Sequence, residues 1–296
     1  MSPASGAIVM GTGIVSVALL LDGRVTLSRL LLVCTAAAWV VLGGLLGRRW
    51  FRDRARVLVE AGSPVALTGV AGTAVLGTRL ALLGWTWAAV ALLAATVALW
   101  VVLLAAVLAH WPPPTAGSAF MLTVATESVA LLGVAVAVGE RADWLLALSL
   151  VPFALGLASY PVVLVRFDLR QLAVGPGDHW VSGGALAICA LAAADVTTGA
   201  HALAMLPHAL LRDVSVGLWS LAMLWLPPLV VAEALHPRRG YNVRRWSTVF
   251  PVGMYAACSF AVGHAAGAPA ITDFARAWVW VAVAVLVVVS AAMVAR

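Results

Sequence analysis

The sequence predicts an all-α integral membrane protein of ten transmembrane helices. Three observations predict it. First, of 296 residues 64% are hydrophobic and only 10% are charged, against roughly 45–50% and about 25% in a soluble domain. So few polar residues cannot cover a soluble globule. Second, apolar runs of ~20 residues, the length that crosses roughly 30 Å of hydrocarbon, recur ten times. Third, the intervening loops are short. The longest is under about 20 residues, far below the ~50 that a domain needs. Residues 1–296 therefore read as a single transmembrane domain with no soluble domain.

The runs fall at 3–21, 27–47, 62–83, 85–109, 117–138, 143–165, 181–198, 211–235, 246–266 and 272–294. The last is clearest, with no ionisable residue between positions 277 and 295. The stretch 199–210 is least regular, because Pro207 and two histidines interrupt it, and it reads as a short interfacial piece. The first run starts almost at residue 1. It lacks a basic leader and contains Gly11 and Gly13, so it reads as a mature helix and not a signal peptide.

Net charge is +6, and all 18 basic residues are arginine. They form no aromatic-interleaved basic face, which excludes nucleic acid as a partner. Instead they mark topology. Arg48, Arg49, Arg52, Arg54, Arg56, Arg166, Arg170, Arg238, Arg239, Arg244, Arg245 and Arg296 fall on one side. Only Arg24, Arg29, Arg79, Arg141, Arg212 and Arg276 fall on the other. The positive-inside rule makes the richer side cytoplasmic. A multi-pass protein of the cell (inner) membrane with both termini in the cytoplasm is expected. Trp50, Trp85, Trp87, Trp111, Trp144, Trp180 and Trp246 lie near run ends, where an interfacial belt would place them. Cys34, Cys189 and Cys258 stand singly in apolar runs and read as small buried hydrophobes.

Glycine and proline divide the runs into two layers. The first carries Pro3, Gly6, Gly11 and Gly13, the third Gly62, Pro64, Gly69, Gly72 and Gly77, and the ninth Pro251, Gly253 and Gly263. The second, fourth and tenth are mainly Ala, Val and Leu. Glycine permits close backbone approach, and proline frees a carbonyl that protein or water must satisfy. The odd runs thus read as an inner layer and the even ones as lipid-facing. The sixth and eighth blur this division with prolines of their own. A weak repeat supports duplication: Ser2-Pro3 precedes Gly11-Thr12 as Ser63-Pro64 precedes Gly72-Thr73.

Two stretches carry a resemblance. One is Val9-Met10-Gly11-Thr12-Gly13-Ile14-Val15-Ser16, and the other runs Arg245-Trp246-Ser247-Thr248-Val249-Phe250-Pro251-Val252-Gly253-Met254-Tyr255. Together they resemble the tellurite-resistance/dicarboxylate transporter family, which includes malic acid permeases, sulfite pumps and slow-type anion channels. The resemblance implies five helical hairpins around a central pore lined by the odd-numbered helices. It implies an aromatic gate at Phe250 with Pro251, and a homotrimer with one pore per subunit. The substrates implied are small anions: inorganic anions, sulfite- or tellurite-type oxyanions, or C4-dicarboxylates such as malate. Gly11, Thr12, Gly13, Pro64, Gly72, Thr73, Glu127 and Gly253 are the expected pore-lining or pathway residues.

Glu127 lies near the middle of the fifth run, where an ionised carboxylate costs at least about 2.5–3.5 kcal/mol. It reads either as a protonatable site in the path, which would make protons a second substrate of a coupled dicarboxylate carrier, or as an acid held between helices by Thr123 or Thr126. Asp195 and Asp213 read as interfacial, Asp213 beside Arg212. Glu233 is expected to pair with Arg238 and Arg239, and Arg79 to reach the outer surface. His201 and His208, seven apart, are weak metal candidates. The rival class is an intramembrane enzyme. No His-Glu-x-x-His occurs, and the aspartates are scattered, so no enzyme, metal or cofactor is expected.

Overall fold

The computed structural model describes residues 3–111, 116–202, 208–237 and 241–295. The described residues contain helices and turns, with no strand. Ten helices match the ten runs: α1 Gly6–Leu21, α2 Val25–Arg52, α3 Thr68–Ala81, α4 Thr86–Ala109, α5 Met121–Glu140, α6 Asp143–Arg166, α7 Val181–Ala202, α8 His208–Leu235, α9 Trp246–Ala266 and α10 Pro269–Val294. Nine of these segments are long and apolar enough to cross a membrane, and α1 is a shorter apolar helix. The stretch 199–210, expected as a short interfacial piece, instead continues α7 to Ala202 and begins α8 at His208; residues 203–207 and the side chains of His201 and His208, and with them the expected histidine pair, lie outside the described residues.

Burial separates the two layers. In the core windows of α3, α5, α7 and α9, 61–89% of residues are buried, against 11–22% in α2, α4, α6, α8 and α10. α1 is buried along most of its length. The odd helices form a closed ring: α1 packs on α3, α3 on α5, α5 on α7, α7 on α9 and α9 back on α1. Each even helix packs against the odd helix before it and also touches the odd helix after it. The result is five hairpins around one axis. Outer faces are apolar and exposed, as at Leu30, Trp87, Val102, Leu224 and Val288, which suits contact with lipid tails.

All five inner helices begin alike. A 3-10 turn precedes each one: Pro3–Ser5, Pro64–Leu67, Gly117–Phe120, Asp178–Trp180 and Val243–Arg245. Ser63 and Asn242 cap two of these turns, accepting from the Val65 and Arg244 amides. The repeat seen at Pro3 and Pro64 is therefore two instances of a five-fold pattern. The five turns surround the axis at the arginine-rich end.

Glycines set the seams between inner helices. A Cβ on Gly11 would lie 3.1 Å from Val249 of α9, and one on Gly72 would lie 3.1 Å from Val9 of α1. One on Gly184 of α7 would meet Pro251 at 2.8 Å. Hydroxyls join inner to outer helices. Ser16 Oγ donates to the Ser28 carbonyl and Ser28 Oγ to the Ser16 carbonyl, at 2.7 and 2.6 Å. Trp39 Nε1 donates to Thr73 Oγ1 at 2.9 Å.

Several expectations change. α2 runs to Arg52, since arginine near a helix C-terminus complements its dipole and snorkels outward. The following loop holds a short helix, Arg54–Ala61, whose Asp53 cap accepts from the Arg56 amide. Trp85, Trp87 and Trp144 are exposed as a belt requires, but Trp180 and Trp246 are buried because they open inner helices. Cys34 faces outward from α2 and is not buried; Cys189 and Cys258 are buried.

Candidate functional site

The five helix starts enclose a small axial pocket, with room for about one water (10 Å³). Every inner helix contributes to its lining: Ala4, then Thr68, then Ser118 and Met121, then Asp178 and Val181, then Arg244 and Ser247. The first backbone N–H groups of a helix have no partner within it and carry a partial positive charge. Five such ends at one mouth favour an anion.

The axial face can be followed inward. Seven residues make nearly two turns, so positions seven apart share a face. From Met121, Val181 and Ser247 in the pocket, this leads to Ser128, Ile188 and Met254, all at most 1% exposed. A further seven leads to Ala135, Asp195 and Ala261, each partly exposed on an otherwise buried helix. The axis is thus sealed at mid-depth and opens again toward the other end. Asp195 sits on that opening face.

Elimination gives the axial face of α9. Trp246, Val249 and Gly253 meet α1, Pro251 and Tyr255 meet α7, and the Val252 carbonyl accepts from Trp278 of α10 at 3.1 Å. Ser247, Phe250 and Met254 are left facing inward. Phe250 lies one turn below the pocket and is 0% exposed. On α1, Gly11 and Val15 meet α9, Gly13 and Val9 meet α3, and Thr12 and Ser16 meet α2. Met10, 0% exposed, remains for the axis, and Ile14, 2% exposed, stands beside it at the edge toward Gly253 of α9.

The other residues named from sequence lie in the seams. Thr12 Oγ1 accepts from Thr35 Oγ1 at 3.0 Å, and Thr73 accepts from Trp39. A Cβ on Gly253 would meet Ile14 at 2.8 Å, and one on Gly13 would meet Val75 at 2.6 Å. Pro64 opens the 3-10 turn before α3. Glu127 is 0% exposed and lies against Gly156 of α6, with Cys189 of α7 as its polar neighbour. Neither of its oxygens accepts a hydrogen bond among the described residues. Thr123 bonds Ser159, and Thr126 accepts from Trp100, so neither threonine holds it.

The peripheral charges also settle. Glu233 accepts from Arg245 at 2.8 Å, whereas Arg238 and Arg239 lie outside the described residues. Asp213 pairs with Arg212 at 2.9 Å. Arg79 does not reach the surface: α2 encloses it, and its Nη2 donates to Ser28 Oγ at 2.9 Å. No metal-binding group of His, Cys, Asp or Glu occurs among the described residues. Asp178, Met10 and Met254 escaped the sequence reading. Aligning the five inner-helix starts would have placed Asp178 beside the axis.

A closed ring of apolar helices, with its positive ends gathered at one axial mouth, defines a multi-pass membrane protein suited to anion passage. Comparison with known proteins agrees. The chain belongs to the voltage-dependent anion channel family (SLAC1), whose model matches residues 1–294. An uncharacterised membrane protein of Mycobacterium tuberculosis strain CDC 1551 is 35% identical over 137 residues, which is 44% of this chain and 68% of the relative. A counterpart in strain H37Rv matches to the same extent. The family is one of channels and transporters, not of enzymes.

Proposed function

We propose that the protein is a channel for small monovalent anions, with an axial pore closed by Phe250. The observation that carries this reading is the convergence of five helix starts on one pocket, with Phe250 one turn beneath it. Helix ends attract an anion without the tight grip of a buried ion pair, and a hydrophobic constriction blocks or dewets the path. Met10, Ile188 and Met254 complete the seal.

Charge on the axis argues for monovalent anions over malate or divalent oxyanions. Arg244 is the basic residue lining the pocket, while Asp178 places a carboxyl in the same pocket and Asp195 one further along α7. Repulsion from an ionised Asp178 would act twice over on a dianion. A proton-coupled carrier using Glu127 is the second reading. The seat of Glu127 between α5 and α6, off the axial face, favours the channel. The arginine distribution supports an inner-membrane protein with cytoplasmic termini, and the positive helix ends then face the cytoplasm. The exposed apolar faces of the even helices would meet lipid or, in a homotrimer, neighbouring copies.

The test is current through purified protein in planar bilayers under chloride and nitrate gradients. Wild type should be nearly silent. Phe250→Ala should conduct and reverse near the anion equilibrium potential. A silent Phe250→Ala protein would refute the channel, and Glu127-dependent malate uptake driven by a pH gradient would then favour the carrier.

A further inference from the structure

Asp178 has an environment that no packing role explains. It opens the 3-10 turn before α7, directly after Gly177, whose φ of 121° favours glycine. It lines the axial pocket and is 2% exposed. Neither carboxylate oxygen accepts a hydrogen bond among the described residues. Arg244 lines the same pocket from α9, yet the two side chains form no ion pair. Arg245 is occupied by Glu233 at 2.8 Å, and the next residue, His179, is buried with its ring 6.5 Å from Trp180. Hydroxyl-bearing Thr68, Ser118 and Ser247 complete the polar lining.

A buried carboxylate without hydrogen bonds is costly. Here the compensation comes from the positive ends of five helices, the feature that would hold a passing anion. The site is therefore built for an anion, and the anion in it is tethered to the protein. We propose that Asp178 is an intramolecular competitor for the pore's own anion site, limiting both the rate and the charge selectivity of passage at the arginine-rich mouth. An entering anion meets the Arg244 guanidinium first and then the Asp178 carboxylate, which must move aside or be overcome. The inference rests on the channel reading and deepens it: the pocket takes a small inorganic anion such as chloride, and Asp178 competes for that seat.

The experiment uses the full chain in planar bilayers, with Phe250→Ala as background and KCl gradients as the probe. A unit charge ~7 Å from an ion, at an effective dielectric of ~40, changes local anion occupancy on the order of sevenfold. Asp178→Asn should raise chloride conductance by about that factor and move the reversal potential toward the chloride value. Asp178→Glu, which keeps the charge, should behave like the background. Arg244→Gln should move conductance and reversal potential the opposite way. Should Asp178→Asn fail to fold, Arg244→Gln and Asp178→Ser carry the same comparison. Unchanged conductance and reversal potential in the charge-removing variants would overturn the inference alone. A silent Phe250→Ala background would overturn the channel reading and the inference with it. A change in protein yield without a change in reversal potential would mark Asp178 as purely structural and also overturn it.

Discussion

Replacing Gly156 with alanine separates two places for Glu127, the helix seam and the conduction path. The added Cβ would sit 2.6 Å from Glu127 Oε1 and 2.8 Å from its Cδ and Cγ, closer than real Cβ atoms approach. The carboxyl has no open space to retreat into, because the residue is 0% exposed and Cys189 lies beside it. Overpacking of this kind costs about 1–3 kcal/mol. Truncating Glu127 to alanine vacates the volume in dispute. The double variant, Gly156→Ala with Glu127→Ala, should recover about 1 kcal/mol or more over the sum of the single effects, as contacting residues do. The assay is equilibrium unfolding in mixed detergent micelles, followed by far-ultraviolet circular dichroism. A companion measurement places Glu127→Gln in the Phe250→Ala protein, whose chloride current, expected on the channel reading, should stay the same between pH 5 and 8. Additive stabilities, within about 0.3–0.5 kcal/mol, would refute the seam. So would a chloride current that changes with Glu127→Gln.

Three further outcomes follow from local geometry. Trp39→Phe removes the indole donor to Thr73 and should cost about 0.6 kcal/mol, typical of a hydrogen bond between membrane helices; the same unfolding assay reads it. Gly267 ends α9 at φ 61° with open space around its Cα, so Gly267→Ala should cost about 1 kcal/mol from backbone strain alone, with no steric component. The third outcome concerns pH. The hydrogen bond from Arg49, at 2.8 Å, holds the Glu60 carboxyl below its usual value. A lowered folded pKa contributes stability above the unfolded value, lost as pH falls through the folded one. Hydrogen exchange in Arg54–Ala61, corrected for intrinsic rates, should therefore quicken below about pH 4. Glu60→Gln should abolish that dependence, and a dependence that survives the substitution would refute the assignment.

The ten spans and the two layers were legible because burial on all sides and exposure to lipid select different residues. Ala, Val and Leu suffice where a helix faces hydrocarbon, as in α4. Glycine and proline collect where backbones approach, as at Gly11, Gly72 and Pro251. The direction each residue faces was not legible. An inner helix such as α5 is buried all round, so it has no polar stripe from which to read its axial face. Glu127 therefore looked equally suited to the pore and to a seam. The Gly-Thr-Gly stretch of α1 had the same ambiguity, resolved by Val249, Val75 and Thr35 as its neighbours. Arg79 misled for a different reason: snorkelling assumes a free path outward, and the start of α2 closes over it. Asp178 was missed because a residue between runs reads as loop, whereas the ring of 3-10 turns buries that loop at the axis.

The backbone of the ring is close to five-fold, yet its chemistry is not. At equivalent depths α1 offers Met10, α5 Val124 and α7 Gly184, while α9 offers Phe250, the largest side chain of the four. At the mouth the charged residues of the pocket stand on adjacent helices, Asp178 before α7 and Arg244 before α9. Asp195 extends the polar side of the path along α7. On α1, the axial Met10 and its neighbour Ile14 are apolar. The α1–α3 seam is set by small residues, Gly72 against Val9 and Gly13 against Val75. One arc of the ring thus supplies close packing, and the α7–α9 arc carries Phe250 and the charge. A symmetric ring of five phenylalanines would overfill the axis, and a ring of five glycines would leave it open. On the channel reading, Phe250 would be the bulkiest part of a seal that Met10, Ile188 and Met254 complete, so that turning one ring away would loosen it. On the channel reading proposed above, the opening motion would belong to the Phe250 side chain, with the other four helices as a fixed frame.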